Sequence, residues 1–263
     1  MGQKVALALS GGGARGIAHI GVIEELERRG YEITSVAGTS MGALVGGVYV
    51  AGELPIFKDW ISIMDKYMFF SLMDINFKGD GLLKGEKVLK ELQQLVPDIN
   101  IEDCRIPFVA TATNLITREE VVFDKGSLYN GIRASISLPQ LFQPYRLGDM
   151  LLADGGIVNQ LPINRVKRTE GDILVAVDVG ANIQPNKHNR NAVPRFRKDE
   201  RNIVKVLTES ASIMTQRIAE MSIQLYKPDI VIRTSVSDYN VLDFDEAEDI
   251  IKAGVKATCL ALD

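Results

Sequence analysis

Cysteine and histidine are both scarce in this chain, which has two residues of each among 263. The two cysteines, Cys104 and Cys259, fit reduced thiols in a cytoplasm better than a disulfide framework. Neither these cysteines nor the two histidines, His19 and His188, show the spacing of a zinc site. We therefore expect a cytoplasmic protein that uses no metal and no cofactor.

Long apolar runs and an excess of positive charge are missing as well. The longest nearly uncharged stretch, residues 41–51, is well short of the roughly 20 residues that a membrane-spanning helix needs. The apolar run at the N-terminus is too short for a signal peptide. A net charge of −4 gives no general attraction for nucleic acid or anionic membranes. We expect a soluble protein that binds no nucleic acid, while transient contact with a membrane surface and oligomerisation stay open.

Strand-like and helix-like patterns alternate along the chain, which predicts an α/β fold around a mainly parallel sheet. Apolar runs predict strands at residues 4–9, 33–37, 108–112, 120–123, 150–153, 173–179 and 230–234. Periodicity predicts helices at residues 17–29, 86–96, 201–226 and 246–262, a buried uncharged helix after residue 40, and a helix that Ser127 caps and that ends near residue 137. No repeat or linker divides the chain, so we expect one domain.

A glycine-framed serine is the most informative motif. Ser40 lies between Gly38 and Gly42 in the sequence GTSMG, which ends an apolar strand and begins a helix of small residues. The two glycines allow a tight strand-to-helix turn that lifts the central side chain clear of the sheet as an exposed nucleophile. Glycine-bearing segments at residues 11–16 and 154–156 also follow strands. Together the three segments predict a serine hydrolase.

The first glycine loop has two functional interpretations and a structural one. Gly11, Gly13 and Gly16 fit the dinucleotide-binding pattern G-x-G-x-x-G between a strand and a helix. However, the acidic residue expected about 20 positions later is missing, because residues 36–37 are Val and Ala. A tight turn that only packs a helix on a sheet is the structural alternative.

An oxyanion hole is the interpretation that we favour for this loop. Glycines let backbone N–H groups converge where side chains would block the approach, and the helix that follows adds the positive end of its dipole. Gly12 and Gly13 are the expected donors, with the N–H of Met41, just past the serine, as a further one.

A serine hydroxyl needs a base to become a nucleophile, and histidine is a poor candidate here. His19 lies on the apolar stripe of the first helix, which is typical of a packing residue. His188 lies in a polar segment that is poorly suited to hold an imidazole in place. A triad of Ser40, Asp154 or Asp178, and His188 nevertheless follows the chain order of α/β-hydrolases and stays open.

Direct activation by a carboxylate is the remaining choice, with Asp154 as the main candidate. Asp154 follows an apolar stretch and precedes Gly155 and Gly156, which allow another backbone to approach closely. A desolvated pocket must raise its pKa, because an aspartate with an ordinary pKa of about 3.9 is a feeble base toward a hydroxyl. Asp178 is a rival of more structural character, and an ordinary Asp-Gly turn is the structural alternative.

Three motifs together, SGGGARG at residues 10–16, GTSMG at 38–42 and DGG at 154–156, resemble those of the patatin-like phospholipases, especially short bacterial esterases of the RssA type. The resemblance covers residues 5–179 and implies a catalytic core that residues 180–263 complete within the same domain. It implies a three-layer α/β/α sandwich that hydrolyses acyl esters of lipids without a metal.

The resemblance also assigns roles to residues. It implies a dyad with Ser40 as nucleophile and Asp154 as general base, an oxyanion hole at Gly11 to Gly13, and Arg15 at the family's basic position. Arg15 could contact a lipid phosphate or tether the glycine loop through a carboxylate. A catalytically idle relative with a regulatory or scaffold role is the alternative function.

Two further segments have open interpretations. Residues 60–77, rich in aromatic and methionine side chains, could form an acyl-binding groove, a lid, a second core layer or an oligomer interface. A basic cluster within residues 187–201 could touch anionic lipid headgroups, but such a run is more typical of a solvated loop.

Overall fold

The structure is a computed structural model that describes residues 2–65, 67–68, 71, 86–96, 99–139, 142–180, 202–234 and 239–263. His188, the basic cluster and much of the aromatic segment 60–77 lie outside the described residues, so the interpretations of these parts stay predictions.

A mixed sheet forms the centre of the fold. Its strands are β1 Lys4–Leu9, β2 Glu32–Thr39, β3 Phe108–Asn114, β4 Glu119–Phe123, β5 Tyr145–Leu147, β6 Met150–Asp154, β7 Asp172–Asp178 and β8 Ile230–Arg233. Their order is β5-β6-β3-β2-β1-β7-β8, with β4 paired to β3. Strands β3, β2, β1, β7 and β8 are parallel, whereas β4, β5 and β6 join through antiparallel pairs. The predicted α/β class with a mainly parallel central sheet is confirmed.

Helices cover both faces of the sheet. They are α1 Ala18–Arg28, α2 Met41–Ala51, α3 Leu54–Ser62, α4 Glu86–Leu95, α5 Leu128–Ser135, α6 Ile203–Tyr226 and α7 Ala247–Leu262. Side chains alternate across β1: Val5, Leu7 and Leu9 join the core cluster that includes α1, α2 and α7, whereas Ala6 and Ala8 join the cluster that includes Ala219 of α6. This alternation gives the three-layer arrangement that the sequence predicts.

Helix α2 is the buried, uncharged helix that the sequence predicts behind the serine motif. Its residues from Met41 to Val50 are all buried. Its glycines allow close packing: a Cβ on Gly46 would lie 2.8 Å from Val36 Cγ1, and a Cβ on Gly47 would lie 2.5 Å from Ile132 Cδ1. Substituting either glycine would therefore push α2 away from the sheet or from α5.

The C-terminal segment is attached to the sheet at β8, which pairs with β7, and α7 packs on α1. The latter contact is close, because a Cβ on Gly254 would lie 2.0 Å from the Ala18 carbonyl oxygen. Both contacts agree with an N-terminal core that the C-terminal residues complete, although this division stays a prediction. Across the described residues, no helix has the length and apolar character needed to cross a membrane.

Two elements were not anticipated from the sequence. Strand β5 is only three residues long and pairs only with β6, which is too short to give an alternating pattern. Helix α3 begins with Pro55 in its first turn, where proline is well tolerated.

The helix capped by Ser127 ends at Ser135, two residues earlier than predicted, and the Ser127 hydroxyl accepts the N–H of Asn130 at 3.2 Å.

Candidate active site

Ser40 occupies the turn between β2 and α2 in a strained backbone conformation. Its φ of 54° and ψ of −124° are rare for a residue other than glycine. The turn also needs its flanking glycines: a Cβ on Gly38 would lie 2.3 Å from the Gly42 carbonyl oxygen, and one on Gly42 would lie 2.4 Å from that of Leu9. The Ser40 N–H donates to Ser135 Oγ at 2.8 Å. This geometry matches the tight strand-to-helix turn that the sequence predicts. The predicted exposure of the serine is not seen, because only 9% of Ser40 is exposed.

Strand β3 brings Ser40 and Asp154 together from distant parts of the chain. Thr39, the last residue of β2, pairs with Thr111, and Asp154, the last residue of β6, pairs with Ala112. The two strand ends therefore meet at successive positions of β3. A second link is a hydrogen bond from Thr39 Oγ1 to the carbonyl of Asn159, in the loop after Asp154, at 2.8 Å.

The backbone around Asp154 is held by hydrogen bonds from both directions. Its N–H donates to the Ser137 carbonyl at 2.9 Å, and its own carbonyl accepts the Thr113 hydroxyl at 2.9 Å. Gly155 is needed directly after it, because a Cβ there would lie 2.4 Å from the Thr111 carbonyl oxygen. The carboxyl group is therefore delivered on a fixed backbone.

The Asp154 carboxyl is buried, with 3% of the residue exposed. Burial raises its pKa from 3.8 to about 6, while the neighbouring Ser40 side chain and the Gly156 N–H act as hydrogen-bonding groups that lower it. Oδ1 accepts the Gly156 N–H at 2.8 Å. Oδ2 is buried and has no hydrogen-bond partner of ordinary geometry in the described part of the chain. Catalytic hydrogen bonds are often long without substrate.

The glycine loop lies beside this pair, but not all of its N–H groups are available. The Gly11 N–H donates to the Gln160 carbonyl at 3.0 Å, and Gln160 Nε2 donates back to the Gly11 carbonyl at 2.9 Å. The expectation that Gly11 is an oxyanion donor is therefore wrong for this structure. Within the described parts of the chain, no hydrogen bond engages the N–H groups of Gly12, Gly13 or Met41.

The two rival groups have other contacts. His19 is fully buried, and its Nε2 lies 2.8 Å from the Ser10 carbonyl, which can only accept, so Nε2 carries the proton. Burial lowers the pKa of His19 to about 4, against the opposing hydrogen bond to Ser10. Asp178 is buried at the end of β7, where its Oδ1 accepts the Gly180 N–H at 3.0 Å. His19 is thus a packed, neutral residue, as expected.

Arg15 holds the glycine loop to a distant segment. Its Nε donates to the Tyr239 carbonyl at 2.7 Å, and the neighbouring Ala14 N–H donates to the Val241 carbonyl at 3.0 Å. The tether thus includes a backbone carbonyl, where the sequence suggested a carboxylate. Arg15 also lines the polar pocket described next.

Ser40 separates an apolar cavity from a polar pocket. The apolar cavity, of about 80 Å³, is lined by Leu44, Phe57, Trp60, Ile61, Met64, Val88, Leu92, Ile136, Phe142 and Phe244. The polar pocket, of about 200 Å³, contains Arg15, Asp154, Gln160, Asp178 and residues of α6. Gly13, Ser40, Leu138 and Val241 line both spaces. The first space is almost wholly apolar, whereas the second combines apolar surface with these polar side chains, so the two halves of a bound ester would meet different surroundings.

The aromatic segment contributes in part to the apolar cavity. Trp60 and Met64 line it, and Trp60 packs against Phe57 with ring centroids 5.9 Å apart. Tyr67, in contrast, is 85% exposed. Whether this segment forms an acyl groove, a lid, a second core layer or an oligomer interface stays open.

No cluster of three or more potential metal ligands occurs in the part of the chain that the structure describes.

Three positioning residues were missed by sequence reasoning. Gln160 joins the glycine loop to the loop after Asp154, Ser135 holds the Ser40 N–H, and Thr111 Oγ1 lies 2.7 Å from Thr39 Oγ1. Because the Thr39 hydroxyl already donates to a carbonyl, Thr111 is the donor between the two. None of the three follows from a local pattern, because each acts through a contact between distant segments of the chain.

A family model described as patatin-like phospholipase matches residues 7–166, more than half of the chain. Similar proteins include an uncharacterised NTE family protein of Mycobacterium tuberculosis, which is 43% identical over 67% of this chain and 49% of its own length. The lysophospholipase nte1 of Emericella nidulans is 34% identical over 68% of this chain and 12% of its own length. The chain belongs to the patatin-like phospholipase family.

The chain thus spans about half of the mycobacterial relative and about an eighth of the fungal one. Among solved structures, VipD from Legionella pneumophila is 15% identical and matches with a TM-score of 0.47 over 98% of this chain and 66% of its own. The predicted family is confirmed, whereas membership of the RssA-type subgroup stays a prediction.

Proposed function

We propose that the chain is a serine hydrolase of lipid acyl esters that works through an acyl-Ser40 intermediate, with Asp154 as its base. The observation that supports this proposal most directly is the Asp154 carboxyl, which is buried beside the Ser40 side chain and whose Oδ2 has no hydrogen-bond partner of ordinary geometry among the described residues. A catalytic base must have such a free position for the proton that it accepts. Family membership and the lysophospholipase name of the fungal relative support the substrate class.

In the first half-reaction, Ser40 Oγ attacks the ester carbonyl carbon while Asp154 takes the hydroxyl proton. The negative charge that develops on the carbonyl oxygen is stabilised by the N–H groups of Gly12, Gly13 and Met41. The tetrahedral intermediate then breaks its bond to the alcohol oxygen, which leaves with the proton held by Asp154. The acyl group remains on Ser40.

In the second half-reaction, Asp154 deprotonates a water molecule that attacks the acyl-Ser40 carbonyl. The second tetrahedral intermediate breaks its bond to Ser40 Oγ, which regains the proton from Asp154, and the fatty acid departs. A pKa of about 6 suits this task, because the carboxyl is largely ionised at neutral pH but is a stronger base than an ordinary aspartate.

The apolar cavity is the expected place for the acyl chain. Its wall is formed mainly by aliphatic, aromatic and methionine side chains such as Leu44, Phe57 and Leu92, which offer the acyl chain an almost wholly apolar environment. Burial of each methylene contributes about 0.8 kcal/mol. A long-chain ester should therefore bind more tightly than a short one, up to the length that the cavity holds.

Hydrolysis of p-nitrophenyl acyl esters by matched variants tests the dyad. Asp154→Asn keeps Oδ1 as an acceptor for the Gly156 N–H but removes the base, so we expect a loss of about 10²–10⁴-fold in kcat. Ser40→Ala should leave no turnover above background, and His188→Ala should retain nearly all of it. A large loss in His188→Ala with little loss in Asp154→Asn would restore the histidine triad. If no ester shows Ser40-dependent turnover, the alternative function is favoured, in which the chain is catalytically idle and has a regulatory or scaffold role.

A further inference from the structure

One face of α6 lines the polar pocket beside Ser40. Its pocket-lining residues recur at intervals of three and four, which is the spacing of one helix face, and they are small or polar: Thr208, Ala211, Ser212, Thr215, Gln216 and Ala219. Helix α6 lies outside the span that the family model matches, residues 7–166. The feature therefore lies in a part of this chain that the family model does not cover.

The opposite face of α6 carries the apolar side chains. Leu207, Met214 and Met221 recur at intervals of seven and are each more than half exposed. A surface helix ordinarily turns its apolar side chains inward and its polar ones outward. At residues 208–216 the arrangement is reversed, because this part of the inner face borders a cavity instead of a packed core.

The pocket side chains keep hydrogen-bonding capacity for a ligand. Ser212 Oγ makes no hydrogen bond within the described residues, although its backbone carbonyl accepts the Thr215 hydroxyl at 3.0 Å. Gln216 Nε2 donates to the Gly180 carbonyl at 2.8 Å, which leaves its Oε1 as an acceptor. The same pocket contains Asp154, whose buried Oδ2 has no partner among the described residues. This pocket thus offers hydrogen-bonding groups next to the reacting groups.

We propose that this face of α6 is the subsite for the leaving alcohol, that it takes a hydroxylated alcohol of the glycerol type, and that Ser212 is its specificity-determining residue. The inference rests on the proposed function, since an acyl chain in the apolar cavity directs the alcohol half of the ester to the other side of Ser40. Hydroxyl groups on that alcohol meet Ser212 Oγ and Gln216 Oε1. An alkyl alcohol without hydroxyls leaves these groups unpaired.

Three esters of one fatty acid test the inference: the methyl ester, the 1-monoacylglycerol and the lysophosphatidylcholine. The variant Ser212→Leu fills the subsite, and Ser210→Leu is its matched control, because Ser210 lies two residues away on the exposed side of the same helix. The wild type should favour both glycerol-bearing esters over the methyl ester in kcat/KM. Ser212→Leu should reduce that preference about tenfold or more, and Ser210→Leu should leave it unchanged.

The effect must appear in the first half-reaction, because all three esters give the same acyl-Ser40 intermediate. Ser212→Ala leaves the subsite open and removes only the hydroxyl, so it should reduce the preference for glycerol-bearing esters several-fold. If Ser212→Leu does not fold, the result for Ser212→Ala tests the subsite. Equal losses on all three esters, or an unchanged preference in Ser212→Ala, would overturn the subsite. Absence of Ser40-dependent hydrolysis of any ester would instead refute the proposed function.

Discussion

Asp154→Asn should make the protein more stable while it removes activity. The folded-state pKa of Asp154 is raised from 3.8 to about 6 by burial, so the fold favours the protonated carboxyl and is destabilised when it ionises. The free-energy cost of ionising Asp154 in the folded protein is absent below about pH 3.8 and grows between about pH 3.8 and pH 6. Above pH 6 this cost is constant. An uncharged Asn avoids this cost and still accepts the Gly156 N–H at Oδ1.

The size of the gain follows from the two pKa values. One pKa unit corresponds to about 1.36 kcal/mol, so a rise from 3.8 to about 6 amounts to about 3 kcal/mol at pH 8. The amide nitrogen of Asn must fit at the buried position of Oδ2, and this reduces the gain in stability. We expect the free energy of unfolding to rise by about 1–3 kcal/mol at pH 8. The gain should be small at pH 4.

Urea unfolding of the wild type and the variant at several pH values between 4 and 8 measures this difference. Asp172→Asn is a control for which we expect the opposite change in stability. Burial raises the pKa of Asp172, but hydrogen bonds from the Thr169 N–H and from Arg168 outweigh burial and leave the pKa below its ordinary value. The ionised form of Asp172 therefore stabilises the fold. That variant should lose stability throughout this pH range, because the ionised carboxylate stabilises the fold at every pH above the ordinary aspartate pKa of 3.8. The prediction is refuted if the free energy of unfolding of Asp154→Asn does not exceed that of the wild type at pH 8. It is also refuted if the increase is the same at pH 4 and pH 8.

Three further predictions concern rates. In the wild type and in His188→Ala alike, kcat/KM should rise with pH to half its maximum near pH 6 and then level off, as a pH profile will show. Gln160→Met removes the side-chain bond to the Gly11 carbonyl and should lower kcat about tenfold with little change in KM, whereas an equal rise in KM would speak against a positioning role. Leu44→Trp narrows the apolar cavity, so in a chain-length series of p-nitrophenyl esters it should shift the preference toward shorter chains; an unchanged preference would contradict the acyl assignment.

Local patterns predicted most of the fold. The uncharged stretch after Ser40, the apolar runs and the Ser127 cap each depend on neighbouring residues, and the structure has helix α2, the main strands and the capped helix at those places. Strand β5 was missed because three residues hold no period. The strand order was not accessible either, since it depends on which distant segments pair.

The three motifs meet in the structure, since Gly11, Gly12, Gly13, Ser40 and Asp154 all line the polar pocket. The catalytic roles assigned to Ser40 and Asp154 stay predictions. The assignment of Gly11 failed because its N–H is taken by the carbonyl of Gln160, 149 residues away. No local pattern marks such a contact. For the same reason, the polar face of α6 became meaningful only when its position beside the pocket was known.

Labelling with a fluorophosphonate, followed by peptide mapping, decides whether Ser40 is a nucleophile that Asp154 activates. We expect one label on folded protein, attached to Ser40, with a labelling rate that falls sharply in Asp154→Asn and is unchanged in His188→Ala. Folded protein that takes no label at Ser40, or that labels normally in Asp154→Asn but not in His188→Ala, would contradict this assignment.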